Sequence, residues 1–389
     1  MAGKLYLSPA EWPARPGNVP SLDGVRGCSI LLVLVGHMLL PSSLIGISAI
    51  GLKVFFVLSG FLITRLLLAE NKYAHGVSLR NFYVRRLLRL YPVIIVYVCI
   101  TSVVILARGQ SVPPMELTSV FLYFVNYLVV YYDHFGHPFT LPVGMLWSLS
   151  VEEHFYLFAP LALVLMRGDA VKMLIMAIAI CVISLGLRLI YAHNEPGIVN
   201  TLELYWRSET RFDSIAFGMI LACLPELARG RRLITQMTTI PVWVAAVALM
   251  LATFAIRDNY FQNTWRFTFQ GVALIPILAG LIFTSTVPVL NRILNMPILV
   301  WVGALSYSLY VWHGSVMFFF SGWFETLPHV IVPWIEIVIS FVFAIMSFYM
   351  LEKPIMRLRK RFGHRTAPIE ETPSNRASRV PAGSAPRPS

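Results

Sequence analysis

Runs of apolar residues, each about 17–25 long, recur along the whole chain with short polar breaks between them. A helix rises about 1.5 Å per residue, so a run of this length crosses the hydrocarbon of a bilayer. Inside lipid every backbone N–H and C=O must find its partner within the protein, which leaves helices and closed barrels as the spanning structures. The alternating ten-residue segments of a barrel are missing from this sequence. Charge agrees with the helical reading. Only 13% of the residues are charged against 57% hydrophobic, and the mean hydropathy is +0.70, whereas soluble domains are roughly a quarter charged. A soluble globular enzyme, a disordered chain and a disulfide-built scaffold are excluded. The expected fold class is all-α, a polytopic transmembrane helical bundle.

The formal net charge of +12 does not point to nucleic acid, because the basic residues gather in short segments between apolar runs and after the last one. That is how a membrane protein marks its cytoplasmic side. Cys28, Cys99, Cys181 and Cys223 lie far apart inside apolar runs, so they are expected to be small core residues, with neither a disulfide framework nor a metal site. The first twenty residues are polar and Pro-rich, and no cleavable signal peptide is expected.

Eleven apolar segments are candidates: 27–46, 50–70, 91–107, 117–132, 145–166, 172–192, 212–227, 238–256, 267–287, 297–320 and 331–351. If all crossed, the clusters Arg229/Arg231/Arg232 and Lys353/Arg357/Arg359/Lys360/Arg361/Arg365 would fall on the side opposite Arg80, Arg85, Arg86 and Arg89. The segment 117–132 is rich in Tyr and Phe and is followed by Asp133, His134, His137 and Pro138, which fits an interfacial or re-entrant piece. With that segment not crossing, all three clusters share one side. The expectation is about ten spans with both termini cytoplasmic: an N-terminal segment 1–20, a membrane domain 21–361 and a disordered cytoplasmic tail 362–389.

Ionisable residues within spans are costly and usually face the bundle interior or an aqueous cavity. In SLDGVRGCSILLVLVGHMLLP (21–41), Arg26 and His37 are eleven residues apart, which on an α-helix is three turns plus roughly 20°, with a rise of about 16 Å. Both share one face, Arg26 near the cytoplasmic boundary and His37 near mid-membrane. Imidazole is the side chain best poised to accept a proton near neutral pH, although a lone histidine hydrogen-bonded inside a bundle fits equally well. In FYVRRLLRLYP (82–92), Arg86 and Arg89 are helical neighbours with Arg85 beside them. Guanidinium groups grip phosphate bidentately, while anchoring at anionic lipid is the alternative. In WSLSVEEHFYLFAP (147–160), Glu152 and Tyr156 share a face, so Glu152 and not Glu153 is expected to face the interior. Pairing with Arg188 or Arg211 would be the purely structural use of Glu152. In YSLYVWH (307–313), a wet outer end is enough to account for His313. Arg211 and Asp213 of RFDSIAFG (211–218) could neutralise each other.

The order of these elements, with FFVLSGFLI (55–63) after the first and LEKP (351–354) at the end, resembles the acyltransferase-3 family of integral membrane acyltransferases over about residues 21–361. Many members carry an acidic residue where this chain has Lys53. The resemblance implies about ten spans and transfer of an acyl group, often acetyl, from acyl-CoA to a hydroxyl of a glycan, lipid-linked saccharide or secondary metabolite. It also implies His37 as the essential catalytic residue, whose chemistry fits a general base. On that basis Glu152 is expected to orient or charge-balance His37, Arg26 to line the pantetheine path, and Arg85, Arg86 and Arg89 to hold the CoA phosphates. Acyl-CoA, acetyl-CoA first, is then the co-substrate, with no metal. The expected partners are acyl-CoA, such an acceptor and membrane lipids, not nucleic acid, and the expected location is the bacterial inner membrane. The competing reading is a proton-coupled transporter or flippase using the same intramembrane groups, and a scaffold protein comes last.

Overall fold

In the computed structural model, which describes residues 20–41, 46–74, 76–284, 286–320, 327–328 and 330–359, the apolar runs form helices, and no strand occurs among the described residues. The expected N-terminal segment, apart from Pro20, and the expected tail lie outside them. The first half of the chain gives α1 (Pro20–Leu34, continued by a π-helical turn Val35–Leu39), α2 (Gly46–Tyr73), α3 (Leu79–Ala107), α4 (Pro114–Phe121), α5 (Val125–Phe135) and α6 (Trp147–Leu165). The second half gives α7 (Ala170–Asn194), α8 (Ser208–Cys223), α9 (Gly230–Met237), α10 (Ile240–Ala255) and α11 (Trp265–Ile282). It ends with α12 (Pro288–Leu294), α13 (Pro297–Phe320), α14 (Val332–Ser347, followed by a π-helical turn Phe348–Glu352) and α15 (Lys353–Arg359).

Seven helices among the described residues are long and apolar enough to cross a membrane, and nine if the bent pairs α9–α10 (69°) and α12–α13 (58°) each count as one span. The expected span 212–227 corresponds to α8, whose 16 residues fall short of that length. The segment 117–132 is broken into α4 and α5, of 8 and 11 residues. The break carries Tyr123 in the left-handed region, φ 55°. Neither piece is long enough to span alone. Glu116 of α4, almost fully buried, accepts the backbone N–H groups of Thr140 and Leu141 at 2.9 and 2.7 Å. It thereby ties down the strap that leads into α6.

Two kinds of helix are distinguishable by how much of their surface the protein covers. In the spans of α1 and α2, 56% and 61% of the residues are buried, against 28% for α7 and 22% for α14. The last two present Ile175, Val182, Ile183, Val338, Val342 and Met346 outward, the apolar belt that lipid covers. Inside, α1 packs on α2 and α13, while α8 packs between α2 and α7. Small residues make these contacts close. A Cβ added to Gly27 would lie 2.3 Å from the carbonyl oxygen of Leu299, and one added to Gly303 1.9 Å from that of Asp23. Gly60 and Gly218 stand in the same relation to Ile215 and Val57, both at 1.9 Å. Between apolar helices in lipid, such approach of backbones is a main source of association.

The Gly27–Gly303 contact also sets a register. Ten residues further along each helix, His37 of α1 meets His313 of α13, so the two helices run in the same direction. At one end of the bundle, Lys72 reaches Glu226 at 3.3 Å and Gly24 touches Leu294. At the other, Asn259 donates to Asn200 at 2.9 Å and Asn263 to the Val199 carbonyl at 2.7 Å. Arg229, Arg231 and Arg232, just past Glu226, and Lys353, beyond the far end of α14, therefore gather at the first end. Gly303→Leu is expected to abolish recovery of monodisperse protein from detergent, whereas Gly186→Ala, where an added Cβ meets nothing within 4 Å, is expected to leave it intact. Size-exclusion chromatography of the two variants checks this.

Candidate functional site

Two cavities approach each other inside the bundle. The inner one, a narrow slot of about 70 Å³, lies among α1, α2, α3, α6 and α13, and its polar lining includes Arg26, Ser59, Arg86, Arg89, Glu152 and Tyr156. The outer one is a vestibule of about 720 Å³ lined by the far ends of α1 and α10, the near ends of α2 and α11, and the segment 199–206, with His37 on its wall. Leu52 and Tyr310 line both. The Tyr310 hydroxyl donates to the Met145 carbonyl at 2.5 Å and accepts from Ser148 at 2.6 Å. That pair of bonds fixes the partition between slot and vestibule.

Local sequence explains how the slot acquires its groups. Helix α3 starts on an N-cap from Ser78, whose hydroxyl accepts the Asn81 N–H at 3.4 Å. The basic run is therefore the first half of a long helix and not a loop. Arg86 and Arg89, i,i+3, turn to the slot, and Arg86 lies 4.4 Å over the ring of Tyr156. Arg85 points elsewhere: it is buried, ion-paired with Glu70 at 3.0 Å, and outside the slot lining. On α6, Ser148, Leu149, Glu152 and Tyr156 share the face that lines the slot, and Glu153 is not among the lining residues. Glu152 accepts from Ser59 at 2.9 Å and from Tyr156 at 3.2 Å. Ser59 belongs to the FFVLSGFLI motif of α2 and had no role legible in the sequence. Among the described residues, Arg26 pairs with Asp23 at a long 3.7 Å.

His37 is reached differently from the simple helical count. The π-helical turn Val35–Leu39 widens the last turn of α1, so the α-helical phase does not carry through from Arg26. Arg26 lines the slot and His37 the vestibule. Such turns inside helices recur where a side chain has to be re-aimed. The partner of His37 is His313: Nδ1 of the first lies 3.2 Å from Nε2 of the second, with the rings stacked at 8°. His313 is fully buried, and this corrects the expectation of a wet outer end. Its Nδ1 stands 2.6 Å from the Tyr310 carbonyl. A carbonyl only accepts, so His313 Nδ1 carries a proton. With both rings neutral, His313 Nε2 then accepts from His37 Nδ1–H, and His37 Nε2 is left with a lone pair. Glu152 is not hydrogen-bonded to His37; the ring that is hydrogen-bonded to His37 is that of His313. The sequence signal for it was the i,i+3 pairing of Tyr310 with His313 in mid-helix.

A second polar group sits on α8. Asp213 pairs with Arg188 of α7 at 2.9 Å, both fully buried, and Arg188 also donates to the Thr210 carbonyl at 2.5 Å and to Thr268 at 2.8 Å. This corrects both expectations for these residues: Asp213 is neutralised by Arg188 and not by Arg211, and Arg188 is unavailable to Glu152. Lys53, also buried, donates to the Phe267 carbonyl. Cys99 is exposed on α3, contrary to a core role, while Cys181 and Cys223 are buried and Cys28 is half-buried.

Comparison with known proteins places these features in context. The acyltransferase-3 family model, described as an acyltransferase domain, matches residues 19–352. The chain is similar to the peptidoglycan O-acetyltransferase OatA of Listeria monocytogenes, 29% identical over 362 residues, covering 87% of this chain and 56% of that protein. It is likewise similar to the O-acetyltransferase OatA of Staphylococcus aureus, 28% identical over 360 residues, covering 88% of this chain and 58% of that protein. The chain thus spans somewhat over half the length of the curated relatives it matches. No solved structure matches it.

Proposed function

The chain belongs to the acyltransferase-3 family, and we propose that it transfers an acyl group, acetyl first, from acyl-CoA to a hydroxyl of a carbohydrate or glycoconjugate acceptor. The observation that carries this reading is the position of His37, on the vestibule wall beside the partition to an arginine-lined slot, with His313 leaving its Nε2 lone pair available. In this reading the nucleotide end of acyl-CoA stays at the basic end of the bundle, its phosphates on Arg86 and Arg89. The pantetheine arm passes Arg26 and brings the thioester carbonyl to the partition. His37 Nε2 takes the proton of the acceptor hydroxyl as its oxygen attacks that carbonyl. The attack forms the ester C–O bond, collapse of the tetrahedral intermediate restores the carbonyl and breaks the C–S bond, and the imidazolium returns the proton to the CoA sulfur. Glu152 balances the three slot arginines, and Arg85, committed to Glu70, takes no part.

The same reading sets the protein in the bacterial inner membrane with ten crossings. Helix α8 is counted as the tenth because it runs parallel to α2 beside it: Gly60 meets Ile215 near its middle and Lys72 meets Glu226 at its end. Ten crossings return both termini to the basic end, which the positive-inside tendency makes cytoplasmic. A donor entering from inside and an acceptor from outside would then meet at His37.

The test is transfer of label from acyl-CoA by purified protein. Arg86→Ala/Arg89→Ala is expected to raise KM for acyl-CoA about ten- to a hundred-fold, the loss of charge-assisted phosphate contacts. The salt dependence of that KM should flatten as well. An unchanged KM would return these residues to lipid anchoring. Absence of any acyl-CoA binding by the unaltered protein would favour the proton-coupled transporter or flippase instead.

A further inference from the structure

Four basic side chains surround a single ring near the start of α11. Lys53 Nζ and the guanidinium carbons of Arg188, Arg211 and Arg266 lie 5.4, 5.4, 4.3 and 5.6 Å from the centre of the Phe267 ring. Asp213 is the carboxylate that pairs within this group, and Arg188 takes it. Arg211 is fully buried, and none of its three guanidinium nitrogens has a hydrogen-bond partner. Its contacts are aromatic faces: Phe267, then Tyr205 at 4.8 Å and Phe56 at 5.6 Å. Faces of rings offset part of the cost of a buried guanidinium, but a buried charge without a hydrogen-bonded counter-ion remains expensive, above all in a membrane.

This positive group borders the vestibule. Tyr205, on which Arg211 stacks, lines the vestibule, and so does Arg266. Arg266 gives Nη1 to Gln262 at 3.1 Å and keeps Nε unpartnered. Arg257 lines the same space, exposed. Among the described residues, no Asp or Glu lines it. A large concave site walled by two arginines and a histidine, with a third arginine behind Tyr205 and no acid among the described lining residues, focuses a positive potential inward.

We propose that the vestibule selects an acceptor bearing an anionic group, carboxylate or phosphate, close to the hydroxyl that is acylated. Arg266 holds that group at the wall, and Arg211 with Lys53 supplies the field behind Tyr205. This rests on the reading of the vestibule as the acceptor side and adds its substrate class. Arg266 is the binding residue in this scheme and Arg211 acts on the acceptor through the field alone; neither lines the slot.

The test uses full-length protein in phosphatidylcholine nanodiscs and follows quenching of the vestibule tryptophans Trp147 and Trp206 by glucuronate and by glucose, with acyl-CoA binding measured in parallel. Glucuronate is expected to bind about ten-fold tighter than glucose, the worth of one charge-assisted contact. Arg266→Gln is expected to remove that preference, as is Arg211→Gln, with acyl-CoA binding kept by both. Arg211→Lys covers the case in which the Gln variant fails to fold, and it is expected to retain the preference in part. Equal binding of the two sugars, or a preference surviving in Arg266→Gln, overturns the proposal and leaves the acyltransferase reading standing. Loss of acyl-CoA binding by the unaltered protein would instead strike that reading. Displacement of glucuronate when phosphatidylglycerol is added to the nanodiscs would assign the positive group to lipid headgroups and overturn it as an acceptor determinant.

Discussion

Replacing His37 with Ala is expected to lower acyl transfer by about 10²–10⁴-fold, the range that one positioned general base supplies, while acyl-CoA binding persists. The persistence matters because it separates loss of chemistry from loss of fold: His37 is on the vestibule wall, and the arginines proposed to hold CoA are in the slot. The companion variant is His313→Ala. It removes the acceptor of His37 Nδ1–H and so frees both the tautomer and the ring orientation, while every atom proposed to touch substrate stays in place. A loss in kcat of about ten- to a hundred-fold with little change in KM is expected, since misplacing a reacting group by about 1 Å costs that much. His313→Gln, whose amide oxygen can accept the same proton, is expected to recover part of it, with the pH profile of kcat returning toward that of the unaltered protein. A merely structural histidine would show no such rescue. Full activity in His37→Ala would end the assignment of the base.

The largest expected effect on stability is that of Asp213→Asn. Asp213 interacts electrostatically with Arg188, Lys53 and Arg211 and forms the buried ion pair of this region. Neutralising it leaves three buried basic groups, Lys53, Arg188 and Arg211, around Phe267 with half-buried Arg266 beside them, where breaking a buried pair ordinarily costs about 3–5 kcal/mol. Arg188→Met removes a cation instead and leaves Asp213 near Lys53, so its cost is expected to be smaller even though the same ion pair is lost. The double variant Arg188→Met/Asp213→Leu restores the original charge balance and is expected to recover more than half of the loss. Thermal unfolding of the three variants in one detergent would order them: Asp213→Asn lowest, then Arg188→Met, then the double. If Arg188→Met were the least stable, the excess positive charge would not be what Asp213 controls.

Much of the architecture was legible without coordinates, for a simple reason. In lipid the backbone must satisfy itself, so length and apolarity alone specify where helices run. Basic clusters marked one end of the bundle, and the i,i+4 spacing of Glu152 and Tyr156 placed both on one face of α6 because a helix surface is a local property of the chain. Arg26 is expected on the interior face of its span, and Arg86 and Arg89 at the cytoplasmic end with lipid anchoring as the alternative to phosphate binding; all three line the slot. What the sequence could not decide was pairing. Arg85 and Arg86 are adjacent and chemically identical, yet one closes on Glu70 and the other opens on the slot. Asp213 lies two residues from Arg211 but bonds Arg188 on another helix. His37 and His313 are 276 residues apart, brought together by a glycine contact ten residues back along each helix and by one π-helical turn. Spacing along a chain fixes which way a side chain faces, but which group waits opposite depends on how closely two backbones approach. That distance is set by residues far apart in sequence, packed at once.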